Sequence, residues 1–405
     1  MSSRPKSRGL RHSHRDALCG QHQADPEGEV DRVVVLGNPS NRRVRFFQEA
    51  LGTLGWPQAQ VVSWQRALEA PETLLSEVGP RTLLRIDSPG ESFEVERLLI
   101  ARGAEVPDRV GPSRISTEEA LDLEDDFGRV RHIRQWYLGL KASLESFAPR
   151  LDCALMNHPA DIVAAFDKPM SQALIASAGV RTPPTLGTIH GYDHLREAMN
   201  SAGLRSVFVK LSHGSAASGV VAFSTRRRAL ATTSLELEGS GSSARFYNSL
   251  NLHRYTSQAS IREVIDFVCA EGAQVEAWIP KARQGGCAVD LRVVVIGGVA
   301  RHVVLRKGRG PMTNLHLGGG RGDLDAFKAK VCPEAWAEMM AQCESAAAVF
   351  PDSLYFGVDL LVSQDHTSGW ILEINAFGDL VPGIVSRGED TFTAELRALT
   401  APEAT

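Results

Sequence analysis

Residues 355–375 constrain the chain more than any other stretch. They read YFGVDLLVSQDHTSGWILEIN, two apolar runs on either side of a polar turn at 363–369 centred on His366. That pattern predicts a β-hairpin. Asp359 lies seven residues before His366 and Glu373 seven after it. A hairpin folded about that centre sets the two opposite each other, with Cβ atoms about 4.5–5.5 Å apart. Side chains alternate along a strand, so Asn375 shares the face of Glu373, while Leu372 and Ile374 point into a core. Two facing carboxylates inside an apolar hairpin repel and lose hydration. A hard cation relieves both, and the oxygens of Asp359, Glu373 and Asn375 suit Mg²⁺, or Mn²⁺, held together with substrate phosphates. A solvated polar face without metal is the other reading of the same spacing. Repulsion also implies that removing one carboxylate raises the stability of the metal-free protein.

Residues 207–222, VFVKLSHGSAASGVVA, read as strand, loop and strand, with Lys210 at the end of the first strand. Gly214 and Gly219 bracket small residues, Ser215 among them, and such a loop exposes backbone N–H groups that can cradle phosphates. It is not a Walker A loop, because Val220 stands where that loop needs lysine, and no GxGxxG opens a helix. A plain turn is the alternative. Lys168, in Asp167-Lys168-Pro169, opens a helix expected to run to about Ala178 and stop at Gly179 before Pro183 and Pro184. A cation is unfavourable at a helix start, which points to an anion nearby.

Residues 1–30 read as a disordered polar tail, and His12, His14, Cys19 and His22 within it do not form a convincing metal site. Strands at 33–37, 61–64 and 82–86 alternate with helices at 42–54, 91–102 and roughly 118–146, which suggests an open α/β sheet over 31–150. A connecting helical segment covers 151–187. One lobe is expected over 188–280, with a helix at 261–271 and a strand at 274–279. A second lobe covers 281–400, with strands at 291–296 and 300–306, a helical stretch at 323–349 and the hairpin. Residues 224–260 are polar and Ser-rich and read as a loop or mobile insertion.

Bulk properties narrow the function classes. A net charge of −4 gives no electrostatic reason to expect a nucleic-acid partner. No apolar run approaches the roughly 18 residues that a membrane helix needs. The basic N-terminus lacks the apolar region of a signal peptide. Six scattered cysteines without a CxxC pair suit reduced thiols in a cytoplasm. Arg42, Arg43 and Arg85 follow strand ends, where ligands of open α/β sheets gather, and with Arg309 they are candidates to bind an acidic substrate, although plain turn chemistry is an equal reading.

Taken together and in order, these segments resemble the ATP-grasp superfamily over residues 155–385, and within it the branch of the ribosomal-protein glutamate ligase, glutathione synthetase and D-alanine–D-alanine ligase. DKPMSQALIASAGVRTPPT is similar to the family's opening lysine helix and FVKLSHGSAASGV to its phosphate loop. VEAWIP resembles the adenine hinge. VDLRVVVIGGVARHVVLR with TNLHLGGG resembles the glutamate-ligase core, and FGVDLL with ILEIN the metal-binding strands. The resemblance implies an ATP-grasp fold of α+β lobes behind an N-terminal open α/β domain. It implies that Lys168, Lys210 and the loop Gly214, Ser215 and Gly219 contact ATP phosphates. Glu276 and the backbone of Ala277 and Ile279 would read adenine, and Asp290 would hold the ribose. Arg292 and Arg306 would steady the transferring phosphoryl group, Asn314 would lie near the γ-phosphate or metal, and Asp359, Glu373 and Asn375 would bind Mg²⁺.

The activity so implied is ADP-forming ligation of a carboxylate, activated as an acyl phosphate, to an amine on a small molecule or peptide. A small-molecule kinase on the same scaffold and a non-catalytic nucleotide-binding protein are the alternatives. The chain departs from the family in its long polar 224–260 and in Ala376-Phe377-Gly378-Asp379, where a Ser-Pro-Gly type of loop is common. Both lie where substrate is handled, so the substrate does not carry over.

Overall fold

The computed structural model describes residues 30–108, 114–215, 217–308, 310–377 and 381–400. The tail expected before residue 30, the candidate Arg309 and the Gly378-Asp379 part of the departing loop lie outside them. Four parallel strands, β1 (Arg32–Gly37), β2 (Gln60–Ser63), β3 (Thr82–Ile86) and β4 (Ala154–Leu155), form one sheet in the order β2-β1-β3-β4. The central β1 and β3 are buried almost throughout and mainly apolar, with Arg85 interrupting β3, because a parallel sheet is covered on both faces. α1 (Arg42–Thr53) covers one face and α2 (Trp64–Glu69), α3 (Glu72–Leu75), α4 (Phe93–Ala104) and α6 (Ile133–Phe147) the other, while α5 (Thr117–Leu121) packs on α4.

The strand expected over 61–64 gives up its last residue, because Ser63 Oγ accepts from Arg66 N at 3.3 Å and makes Trp64 the first residue of α2. The helical stretch expected over 118–146 is two helices, α5 and α6. α4 and α6 touch backbone to backbone at two glycines: a Cβ on Gly103 would lie 1.9 Å from Gln135 O, and one on Gly139 1.9 Å from Leu99 O. Two helices then bridge to the rest of the chain, α7 (Pro159–Phe166) and α8 (Lys168–Ser177). Asp167 caps α8 and Gly179, at φ 79°, closes it.

The second sheet is antiparallel, in the order β8-β7-β6-β5-β9, from β5 (Ser206–Leu211), β6 (Val221–Ser224), β7 (Leu230–Glu238), β8 (Arg245–Tyr255) and β9 (Ala273–Ala277). Val207, Val209, Leu211 and Val275 on one face pack with α9 (Tyr192–Ser201) and α10 (Gln258–Ala270). The loop expected over 224–260 is therefore corrected to the hairpin β7–β8. Its polar composition hid it: Thr232, Thr233 and Ser234 are buried, and β-branched threonine suits a strand. A bulge breaks the alternation as well, with Ser234 facing the four residues Ser249, Leu250, Asn251 and Leu252.

The third sheet runs β13-β12-β11-β14-β15, with β10 (Arg283–Gln284) paired to β11 (Cys287–Ile296) and then β12 (Val299–Gly308), β13 (Gly320–Arg321), β14 (Tyr355–Val362) and β15 (Gly369–Asn375). Leu291, Val293, Val358, Leu360 and Ile374 fill its apolar face and share a core with Met339 and Cys343 of α12 (Pro333–Ala347), which follows the short α11 (Leu324–Lys328). The last helix, α13 (Thr391–Thr400), packs on α1. Among the described residues no helix is long and apolar enough to cross a membrane.

The joint between the first and third sheets overturns one expectation. Arg85 does not face a substrate cleft. It is 1% exposed, donates to Glu395 of α13 at 2.6 Å, and lies over the rings of Phe47, Tyr355 and Phe392 at 4.7, 4.7 and 5.0 Å. Arg85→Met is expected to destabilise the protein by about 3–5 kcal/mol by leaving the Glu395 carboxylate buried without a cation, and Arg85→Met with Glu395→Leu to recover much of that. Urea unfolding of the three proteins checks it; a double variant no better than the single one would refute the pairing.

Candidate active site

One face of the third sheet carries charges in register. β11 sets Asp290 opposite Arg306 of β12 and Arg292 opposite Asp359 of β14, and β14 sets Asp359 opposite Glu373 of β15. The last pairing, expected from the hairpin's symmetry, depends on a bulge. Leu360 pairs with Ile371, so Leu372 is the extra residue, and without it Leu372 would face Asp359. For the same reason Ile371 rather than Leu372 joins Ile374 in the core. The network is dense. Arg306 donates from Nε to Asp290 and from Nη2 to Asp359, both at 2.9 Å, and Arg292 Nε donates to the other oxygen of Asp359. Lys281 Nζ donates to Asp290 at 2.7 Å and to Thr313 Oγ1 at 2.9 Å, and Thr313 itself donates to Asp290. Burial opposes ionisation of Asp290 and Asp359, but these cations hold both carboxyls below the usual range.

The second sheet faces this network with Lys210, whose ammonium binds both oxygens of Glu276 at 2.9 and 2.8 Å. Lys168 joins the two sheets. Its Nζ donates to Gly214 O in the β5–β6 loop and lies 3.9 Å from Glu373 Oε2. Burial holds Lys168 below the ordinary lysine range, with Glu373 offsetting part of the effect. Lys210 goes the other way, because Glu276 and then Glu373 more than offset its burial. Gly219 holds φ 68°, and Ser218 N donates to Ser215 O at 2.8 Å, so the loop turns tightly between its strands.

No family model matches the sequence, and no curated protein matches it. Solved structures do. The chain is similar to the D-cycloserine synthetase DcsG, at 16% identity over 91% of this chain and 98% of that one, with a TM-score of 0.51. It is similar to the ADP complex of PurK, N5-carboxyaminoimidazole ribonucleotide synthetase, at 11% identity over 92% and 78%, with a TM-score of 0.52. A third similar structure is the ATP-grasp ligase PsnB complexed with a minimal precursor, at 18% identity over 91% and 99%, with a TM-score of 0.48.

The chain has the ATP-grasp fold.

At these identities the likeness is one of fold, and the side chains must speak for the site. In this ATP-grasp fold Lys168, Lys210, Gly214 and Glu276 gather on the second sheet's side, and Asp290, Arg292, Arg306, Asp359, Glu373 and Asn375 lie on the third sheet's, with Lys168 between the two groups. Asn314 opens the 3₁₀ turn at Leu315–Leu317, next to Thr313. Ala277 N donates to Pro184 O at 2.8 Å, so that N–H is already engaged, while Ile279 is half-buried just beyond β9. Asp290 accepts from three donors, which fills most of a carboxylate's acceptor sites and leaves little for a ribose.

The donor set fits a magnesium ion in part. Asn375 Nδ2 donates to Gly357 O at 3.1 Å, which leaves Oδ1 as an acceptor beside the half-buried Glu373 carboxylate. Asp359 is engaged by two arginines, so the facing carboxylates are balanced by Arg292, Arg306 and Lys168 and do not by themselves demand a metal. Among the described residues no group of three or more His, Cys, Asp or Glu side chains converges.

Sequence reasoning missed Lys281, Thr313, His213 and Asn157. Lys281 had a signal: Gln284 pairs with Cys287 across Gly285-Gly286 and Arg283 with Ala288, and that register continued outward sets Lys281 opposite Asp290. Asn157, fully buried, donates to Tyr355 O and Ala376 O at 2.9 Å and so ties the end of β4 to the hairpin. Nothing in its local sequence reveals that.

Proposed function

We propose that this protein is a Mg-ATP-dependent ligase that activates a carboxylate as an acyl phosphate, joins it to an amine and releases ADP. The observation that carries the reading is Lys168, whose one ammonium touches both the β5–β6 loop and the acidic hairpin. A phosphate chain lying along that loop meets Lys168, the hairpin carboxylates and Arg306 together, and phosphoryl transfer depends on such positioning and charge balance. Solved proteins of the same fold are synthetases, one of them bound to ADP. The nucleotide lies between the lobe of residues 188–280 and the lobe of residues 281–400. Lys168, Lys210 and the N–H groups of Gly214, Ser215 and Gly219 bind its phosphates, Glu276 orients the base beside Ala277 and Ile279, and Asp290 lies toward the ribose. Glu373 and Asn375 would hold Mg²⁺, beside Asp359 whose carboxylate is shared by Arg292 and Arg306, and the ion would lower the charge on the phosphates. Arg292, Arg306 and Asn314 face the transferring group. The carboxylate and amine partners enter from the side of the first sheet, where Arg43 Nη1 donates to Phe377 O at 2.7 Å and closes α1 onto the loop after β15.

Calorimetry with Mg²⁺ and a non-hydrolysable ATP analogue tests the binding step. The wild type is expected to bind, and Lys210→Met to bind about ten-fold or more weakly, the loss of a charge-assisted contact. No heat and no thermal shift at millimolar analogue would rule the reading out.

A further inference from the structure

His213 begins the turn that carries Gly214, yet nothing in the chemistry above uses it. It is 3% exposed. Its Nε2 lies 3.3 Å from Asp167 Oδ2, and its ring stacks on Tyr137 of α6 with centroids 3.8 Å apart and planes 13° apart. Asp167 precedes Lys168 as His213 precedes Gly214. Two contacts therefore join the two dipeptides, the imidazole on Asp167 and Lys168 Nζ on Gly214 O, and a third, Lys168 N donating to Ser212 O at 3.1 Å, ties in the residue before His213. The surroundings brace this clasp from every side. Tyr137 OH donates to Val163 O at 3.2 Å, Ser212 N donates to Gly272 O at 2.9 Å, and the N–H groups of His132, just before α6, and of Arg134 in its first turn donate to the Glu271 carboxylate at 3.0 and 3.4 Å. Asp167 also caps α8 through Met170 N at 3.0 Å, so its second oxygen is the one offered to the ring.

We infer that His213 is a positioning residue for the nucleotide phosphates: through Asp167 and the Tyr137 ring it fixes the entry of the β5–β6 loop against Lys168. The inference rests on the nucleotide reading above. Nε2 carries the proton of the hydrogen bond that Asp167 accepts, and Nδ1, buried with no hydrogen-bond partner among the described residues, keeps its lone pair. Burial, partly offset by Asp167, holds the imidazole below its ordinary range and keeps this neutral form at neutral pH. Without the clasp the loop keeps its strands but loses its fixed offset from the ammonium, and the phosphates lose the coincidence of Lys168 with the loop's N–H groups.

The test separates the hydrogen bond from the stack. His213→Gln keeps a donor within reach of Asp167, His213→Phe keeps the ring, and Asp167→Asn keeps the helix cap while replacing the acceptor oxygen. Binding of the Mg-bound ATP analogue is measured by calorimetry and KM for ATP against kcat by ADP release, with melting curves as the fold control. His213→Phe and Asp167→Asn are expected to weaken binding and raise KM by about ten-fold, and His213→Gln by less than about three-fold. Binding unchanged in both His213→Phe and Asp167→Asn overturns the inference, as does loss confined to the active fraction with KM unmoved. If His213→Phe does not fold, Asp167→Asn carries the test. A wild type that binds no nucleotide overturns the functional reading, whereas a wild type that binds and variants that match it overturn this inference alone.

Discussion

Asp359→Ala is expected to destabilise the protein by about 3–5 kcal/mol, because it leaves Arg292 and Arg306 facing each other with their shared carboxylate gone. Sequence reasoning gave the opposite sign, since it saw only the repulsion between Asp359 and Glu373. Glu373→Ala tests the contrast: its carboxylate is 27% exposed and 3.9 Å from the nearest ammonium, so its removal changes stability by less than about 1 kcal/mol. Urea unfolding at neutral pH reads both. The pH dependence carries the same sign. The folded carboxyl of Asp359 titrates below its ordinary value of about 3.9, so its contribution is present above that value and is lost as the pH falls toward the folded one. The gap between wild type and Asp359→Ala should therefore close below about pH 4. An Asp359→Ala protein as stable as the wild type would mean that the arginines are not balanced by this residue.

What could be read in the sequence was local, and what could not was set by distant pairing. The hairpin at 355–375 announces itself through its turn and two apolar runs, yet its facing carboxylates depend on the Leu372 bulge, which no residue type marks. The helix at Lys168 was legible because Asp167 and Gly179 punctuate it. Arg292 was named, but its partner Asp359 lies 67 residues on, and only the β11–β14 register joins them. Arg85 was misread because a strand-end arginine beside Asp-Ser-Pro-Gly looks solvated, while the helix that buries it comes 310 residues later. The β7–β8 hairpin was lost because serine and threonine in a buried strand imitate a loop.

The reaction is expected to yield ADP and free phosphate in equal amounts, and only when a carboxylate and an amine acceptor are both present. A carboxylate at neutral pH is a poor acylating agent and an acyl phosphate a good one, so the γ-phosphate must be held in line with a carboxylate oxygen while cations balance its charge. Lys168 from α8, Lys210 from the second sheet and Arg306 from the third are the cations that this reading places around it. The acyl phosphate must also be kept from water. The β7–β8 hairpin is placed to do this: Ser234 Oγ donates to Ala217 O of the β5–β6 loop at 2.9 Å, and Leu252 reaches Gly310 on the third sheet's side. Hydroxylamine in place of the amine should trap the intermediate as a hydroxamate. Lys168→Met, which removes the ammonium between loop and hairpin, should lower turnover on the order of 10²–10³-fold while leaving the fold intact. If γ-phosphate label stays on the product, the protein is a kinase on this scaffold. If AMP and pyrophosphate form, the carboxylate is activated by adenylation, and the placement of Lys168 and Arg306 around the γ-phosphate is wrong.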